Sequence, residues 1–286
     1  MYPANFEYTR PSTVEEAVAL LGKYGDDAKV LAGGHSLIPA MKLRLARPNV
    51  LVDIGRITNL NYVKTDAHGR FAIGAMTTHA DIAASRPLRT KCPLLPETAA
   101  HIGDVQVRNK GTIGGSLVHA DPAADYPGAM LALNAEMDLV GPKGKRVVRV
   151  ADFFVALLQS AVGPDEILTE IRIPETSPAV AYVKTEQKAS GFALAGVAVV
   201  QSMAGFRIGV TGVAAKAYRA SAVEHVLAKL KSPKPEEIAQ ASMLAADGVH
   251  PLSDIHASAE YRAHLAQINT RRAIEKALSR AVAAEK

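Results

Sequence analysis

The chain has 286 residues, 48% hydrophobic and 21% charged, a length that suits two domains with a substantial core. Lys and Arg outnumber Asp and Glu by only 33 to 28, without a basic run, and aromatics are 5%. That excludes a nucleic-acid groove built from a basic stripe and stacking rings, and the single cysteine, Cys92, excludes both an internal disulfide and any cluster that needs several thiolates from this polypeptide.

The opening MYPANFEYTRP has neither the basic nor the apolar region of a signal peptide. TVEEAVALLGKYG (13–25) predicts an amphipathic helix, with Thr13 as N-cap, Glu16 as capping-box partner and Gly22 or Gly25 at its end. AKVLAGG (28–34) is a strand running into glycines. SLIPAMKLRLA (36–46) places Leu37, Met41 and Leu45 at i, i+4 and i+8 of a short helix, with Pro39 confined to its first turn. Strands follow at 49–55 and 70–76, and short helices at 79–86 and 93–103. Strand and helix do not alternate with regular lengths, so the class is α+β.

Residues 121–137 predict a helix, 137–150 a hairpin turning at Gly141 to Gly144, and EILTEIRIP (166–174) a strand stopped by Pro174. PETSP (174–178) is the best linker in the chain. Beyond it, three consecutive antiparallel strands are expected within 179–215, the last two joined at Ala204 and Gly205. Two helices then follow, 234–247 and a long one from about Ser258 with Tyr261, Leu265, Ile268, Ala277, Leu278 and Ala281 on its apolar face. The longest apolar run, 192–200, is too short to span a bilayer, so no transmembrane segment and a cytoplasmic location are expected.

Two stretches carry chemistry: LAGGHS (31–36) and GTIGGS (111–116). A glycine pair lets a ligand approach bare backbone, and successive amides in such a turn converge on an anion. The first stretch ends a strand and opens a helix, which adds the helix dipole. Thr112 and Ser116 add hydroxyls to the second. Two such nests would hold the two phosphates of one dinucleotide, and Asp125 would accept from a ribose hydroxyl. Neither stretch matches a P-loop or G-x-G-x-x-G, Ser36 and Ser116 lack a nucleophile elbow, and His101, His119 and His250 lack metal-ligand spacing.

KVLAGGHSLIPAMKLRLARPNVLVDIGRI together with VRNKGTIGGSLVHADPAADYP closely resembles the FAD-binding medium subunit of molybdenum hydroxylases, of the carbon monoxide dehydrogenase type within the xanthine dehydrogenase family. The resemblance extends over essentially the whole chain. It implies a flavoprotein fold of the vanillyl-alcohol-oxidase or PCMH type: an FAD-binding domain at 1–176, made of subdomains at about 1–58 and 59–176, then a smaller α+β domain at 177–286. It implies that Ala32, Gly33, Gly34, His35 and Ser36 form the first diphosphate loop, and Gly111, Thr112, Ile113, Gly114 and Gly115 the second. Asp125 matches an acidic residue near the adenosine end of FAD. Ile102, Leu168 and Lys184 match residues lining the cofactor, Lys184 as a cation near the pyrimidine end of the flavin, and Phe192 an aromatic residue packed on the flavin ring.

The resemblance further implies the role of electron relay. FAD in this chain would take electrons from the [2Fe–2S] clusters of a small subunit, a large subunit would carry molybdopterin and hydroxylate the substrate, and the trimers would pair. No residue of this chain is expected to be catalytic, none to bind a metal, and an apolar partner-facing patch is expected. Close carbon-monoxide-type relatives have an acidic residue in place of Ser116 and a glycine in place of Ala120. These departures weaken carbon monoxide as the substrate without excluding it; an aldehyde, an N-heterocycle and a purine-like substrate fit as well, and the acceptor (quinone, cytochrome, oxygen or NAD) is equally open. A stand-alone flavin oxidase of the same fold is the alternative.

Overall fold

In the computed structural model, which describes residues 2–284, the chain forms three main sheets in succession, with the glycine stretches on the seam between the first two. Met1 and residues 285 and 286 of the expected C-terminal domain lie outside the described residues. The first sheet is parallel, with β1 (Glu7–Thr9), β2 (Ala28–Leu31) and β3 (Val50–Asp53) in the order β1-β3-β2. Between β1 and β2 runs α1 (Val14–Tyr24): the Thr13 hydroxyl accepts from the Glu16 amide, and Gly25 ends the helix at φ 52°. The Glu16 carboxylate reaches back to the Ser12 amide at 2.7 Å. Ala17, Val18 and Leu21 bury that helix against Val50, Val52 and Ile54. After β2 comes α2 (Leu37–Lys42), with Met41 buried; the chain then turns left-handed at Arg44 (φ 64°), which leaves the expected apolar position Leu45 exposed.

The second sheet is antiparallel, and its strands are β4 (Val63–Thr65), β5 (Phe71–Gly74), β6 (Glu136–Gly141) and β7 (Gly144–Arg149) around a later central strand. Before that strand comes a two-stranded flap, β8 (Phe154–Ala156) and β9 (Gln159–Ser160), on which Val155, Leu157 and Leu158 are exposed. The central strand, β10 (Ile167–Ile173), completes the order β4-β5-β10-β6-β7. The helices of this part are α3 (His79–Ala84), α4 (Arg86–Lys91), α5 (Leu94–Ala100), α6 (Val105–Lys110), α7 (Ile113–His119), α8 (Tyr126–Leu133) and the single turn α9 (Val150–Phe153). All but α6, which has no buried residue, share one core with the sheet, among whose members are Phe71, Leu94, Ile113, Tyr126, Met130 and Leu139. The helix expected over 121–137 is shorter than that, because Asn134 turns left-handed (φ 51°) and Glu136 already belongs to β6. Cys92 is fully buried in this core, and burial pushes its thiol up to about 12.

The third sheet is antiparallel in sequence order: β11 (Val180–Glu186), β12 (Ala193–Ser202), β13 (Gly205–Thr211) and β14 (Tyr218–Arg219). Three helices follow where two were expected: α10 (Ser221–Leu227), α11 (Pro235–Ser242) and α12 (Ala259–Ala284). Successive strand residues face opposite sides. Val180, Tyr182, Ala198 and Val200 join the core of the second sheet, while Ala181, Val197 and Val199 pack with Leu265, Ala266, Ala273 and Ile274 of α12. The buried face of α12 keeps Leu265 and Ala277 of the expected one, with Leu278 packed against it, and adds polar residues that were not expected. Tyr261 is exposed, and buried Arg262 and Asn269 instead donate to the carbonyls of Leu194, Gly212 and Ala195 near the ends of β12 and β13. Gly209 of β13 lies directly on α8, where a methyl group would stand 1.9 Å from the Gly128 carbonyl oxygen. No helix among the described residues is long and apolar enough to cross a membrane.

Candidate functional site: a glycine-lined cleft

At the end of β2 the chain turns through residues 32–36 before α2 starts, with Gly34 at φ 75°. The amides of Gly33, Gly34, His35 and Ser36 have no acceptor among the described residues. A methyl group on Gly33 would stand 2.2 Å from the Lys110 carbonyl oxygen and 2.8 Å from the Gly111 Cα. The two glycine stretches therefore meet backbone to backbone. No side chain larger than hydrogen fits between them.

The second stretch differs in how its amides are used. Thr112 caps α7, its hydroxyl accepting from the Gly115 amide at 3.1 Å. The Ile113 amide donates to Thr77 O at 3.0 Å, Gly114 to Ala75 O at 2.9 Å, and Ser116 to Thr112 O at 3.0 Å. A methyl on Gly114 would stand 2.6 Å from the Ala75 Cβ. The second stretch thus seats α7 tightly on the segment after β5, whereas the first presents bare donors. Only the first is an open amide nest of the kind read from the sequence.

Between them lies a cleft of about 670 Å³. It is walled by α1, β2 and Ile54 of the first sheet, by Ala75, His79 and Leu168 of the second part, and by Ser190, Gly191 and Phe192 of the β11–β12 loop. Of the residues singled out from the sequence, Ala32, Gly33, Gly34, His35, Ser36, Ile102, Gly111, Thr112, Gly114, Gly115, Asp125, Leu168 and Phe192 line it. Leu168 is otherwise core, and Phe192 is 48% exposed. Ile113 and Lys184 are not among the lining residues. The Ile113 side chain is wholly in the core, so the residue acts as a packing anchor for α7.

Lys184 is neither a surface charge nor a wall of the cleft. Its ammonium, with the side chain 1% exposed, lies 2.8 Å from Asp125 Oδ1 and donates to the His101 carbonyl at 2.9 Å. The Tyr182 hydroxyl donates to Asp125 at 2.6 Å. Burial pushes the Asp125 carboxyl up, opposed by the charge and hydrogen bond of Lys184 and by the hydrogen bond from Tyr182. The family resemblance puts Asp125 at the adenosine end and Lys184 at the pyrimidine end of one extended dinucleotide. A pair in direct contact does not mark opposite ends. Both belong to the end closed by the C-terminal domain, where the Ala193 amide also donates to Ala123 O.

Two further groups had no signal in the sequence. His79, the first residue of α3, lies against the second loop, its Nε2 only 2.5 Å from where a Gly111 Cβ would be. Its Nδ1 is buried without a hydrogen-bond partner among the described residues. Burial first, and the fields of His35 and Arg108 second, push the imidazole down to about 4. Arg108, the other, donates to the carbonyls of Ile102 and Gly103. The free amides of residues 33–36, with His35 among them, make the cleft complementary to a bridging anion, while Ile102 and Phe192 offer apolar contact to a flat ring.

Two facing subdomains with a bare-backbone crossing between them, closed at one end by a third unit, define a dinucleotide-binding flavoprotein fold of the α+β class expected. The chain belongs to the family of FAD-binding subunits of molybdopterin dehydrogenases: residues 4–176 match the FAD binding domain in molybdopterin dehydrogenase, and residues 180–277 the CO dehydrogenase flavoprotein C-terminal domain. It is 41% identical to the carbon monoxide dehydrogenase medium chain of Afipia carboxidovorans over 98% of this chain and 99% of that one. It is also similar to the Hydrogenophaga pseudoflava carbon monoxide dehydrogenase that lacks the Mo-pyranopterin moiety (TM-score 0.93, 40% identity, covering 98% of this chain and 99% of that one). Quinoline 2-oxidoreductase from Pseudomonas putida 86 gives a TM-score of 0.92 at 32% identity, covering 98% and 99%. The chain is an FAD-binding oxidoreductase subunit.

Proposed function

We propose that this chain holds FAD in the glycine-lined cleft and relays electrons from the [2Fe–2S] clusters of a small partner subunit to an external acceptor. The assembly is a cytoplasmic molybdenum hydroxylase with a large molybdopterin subunit, formed as a dimer of heterotrimers. The observation that carries the reading is the crossing of the two loops, where the amides of 33–36 are left without acceptors beside a cleft of about 670 Å³. The amides of residues 33–36 would hold the diphosphate, with the Thr112 hydroxyl beside them, and Phe192 and Ile102 would flank the ring. FAD supplies the redox chemistry when bound; the chain supplies position and electrostatics. Its own residues exclude water on the Leu168 side and fix the turn at 101–103.

Relatives that share this architecture are named for carbon monoxide and for quinoline. The medium chain therefore does not select the substrate, which belongs to the large subunit.

Titrating the purified chain with FAD tests the reading. FAD at about 100 times its Kd raises stability by about 2.7 kcal/mol if it binds only the native state. Gly34→Val, which forces a β-branched residue to φ 75° with Cβ contacts of 3.2 and 3.3 Å to Ile38 and Leu31, abolishes that shift. A parent chain whose melting temperature ignores FAD refutes the proposal. Substrate-dependent bleaching of the flavin by this chain alone would establish the stand-alone oxidase instead.

A further inference from the structure

Three consecutive carbonyls, the last two from residues that line the cleft, are held by two cations from different parts of the fold. Lys184, on β11, takes the His101 carbonyl at 2.9 Å, and Arg108, on α6, takes those of Ile102 and Gly103 at 2.9 and 2.8 Å. Lys184 is itself fixed by Asp125 at 2.8 Å, which Tyr182 holds at 2.6 Å. Gly103 is left-handed at φ 45°. A trans peptide is planar, so each N–H points opposite to the carbonyl of its own unit. Drawing the Ile102 and Gly103 carbonyls onto Arg108 therefore aims the Gly103 and Asp104 amides the other way. Neither amide has an acceptor among the described residues. The Asp104 carboxylate is already engaged by the Gln106 and Val107 amides at 2.8 and 2.9 Å. Ile102 and Gly103 line the cleft, and Gly191, next to the half-exposed Phe192, packs on Gly103.

We propose that the 101–104 turn is a backbone donor site for the electron-accepting ring of the cofactor, with Arg108 and Lys184 as its positioning residues. This rests on the FAD reading above. Fixed amide dipoles favour whichever state of the ring carries more negative charge. The turn therefore binds the reduced cofactor more tightly than the oxidised one and raises its potential. The positive charges do not touch the ring; they act by orienting two peptide units.

The test uses the full chain loaded with FAD, with ADP as a probe that has the diphosphate and lacks the ring. In the parent, the Gly103 and Asp104 amide resonances shift and gain exchange protection with FAD, and not with ADP. In Arg108→Gln the preference for reduced over oxidised FAD falls about tenfold, read as a midpoint potential lower by about 30 mV for a two-electron couple. ADP affinity stays at the parental value, and Arg108→Lys, which keeps a donor, lies between. An unchanged potential in FAD-loaded Arg108→Gln overturns the inference, as does equal protection of the two amides by ADP. Should Arg108→Gln fail to retain FAD, the amide measurement on the parent decides alone. A parent that binds ADP and FAD with no response at 103 and 104 refutes this inference and leaves the FAD reading standing; a parent that binds neither refutes the FAD reading itself.

Discussion

A methyl group at Gly33 and one at Gly114 would do different damage. At Gly33 it enters the crossing between the loops, 2.2 Å from the Lys110 oxygen; at Gly114 it strikes Ala75 inside the fold, at 2.6 Å from its Cβ. Overpacking of this kind costs about 1–3 kcal/mol. Gly33→Ala is expected to weaken FAD binding about tenfold or more with a smaller change in melting temperature of the free chain. Gly114→Ala is expected to lower that melting temperature first, and calorimetry beside an FAD titration separates the two. His79 gives a pH signature. Its folded value is depressed from 6.5 to about 4, so the unfolded chain binds the extra proton between those limits. Stability from this group is therefore fully present above about pH 6.5 and lost on acidification towards pH 4, by up to about 1.4 kcal/mol per pH unit. Urea unfolding of His79→Gln across that range is expected to show a shallower acid slope than the parent. The glycine stretches were legible because bare backbone writes itself into the sequence. His79, which lines the cleft, and Arg108, which holds the Ile102 and Gly103 carbonyls, were not, because each is placed by the packing of a short helix, and TTHAD or VRNKG carries no spacing that announces it.

Among elements, legibility followed the strength of the end signals. The helix α1 has Thr13 before it and Gly25 after it, and was read to within a residue or two. The helix α10 begins after Ala220, which offers no side-chain cap, and went unread. The long helix α12 was read as present with Leu265 and Ala277 inward, but Tyr261 was misplaced and the polar part of the buried face was missed, because apolar periodicity is blind to polar residues that bury themselves on backbone. Asn269 is the example: fully buried, it donates to Ala195 O and to the Thr185 hydroxyl, both at 3.0 Å. Asn269→Leu is expected to cost about 1–3 kcal/mol in denaturant unfolding, since the Ala195 carbonyl stays buried without its donor. Tyr261→Ser, on the exposed side, is expected to stay within about 0.5 kcal/mol.

At the scale of the whole molecule, the break read at 174–178 separates two folding patterns without separating two cores. Residues from β11 and β12 complete the core of the second sheet, and α8 touches β13 through paired glycines. Hydrophobic spacing within a segment does not report which other segment will share its burial. The ion pair of Asp125 with Lys184 sits on this junction. Lys184→Met is expected to cost about 3–5 kcal/mol, because a buried carboxylate is left without its cation. Adding Asp125→Asn is expected to restore much of that loss, and melting curves of the single and double variants in the absence of FAD would show whether it does. Heating the intact chain is expected to give one transition, observed alike by a probe in either half.

The sealed position of Cys92, with its thiol held near 12, leaves the native chain without a reactive sulfhydryl among the described residues. A cysteine introduced at an exposed site, such as Val105 on α6 or Leu157 on the flap, would then be the sole target for a maleimide dye or a nitroxide. Spectroscopic rulers can accordingly be attached to the wild-type background, with no prior removal of a native thiol.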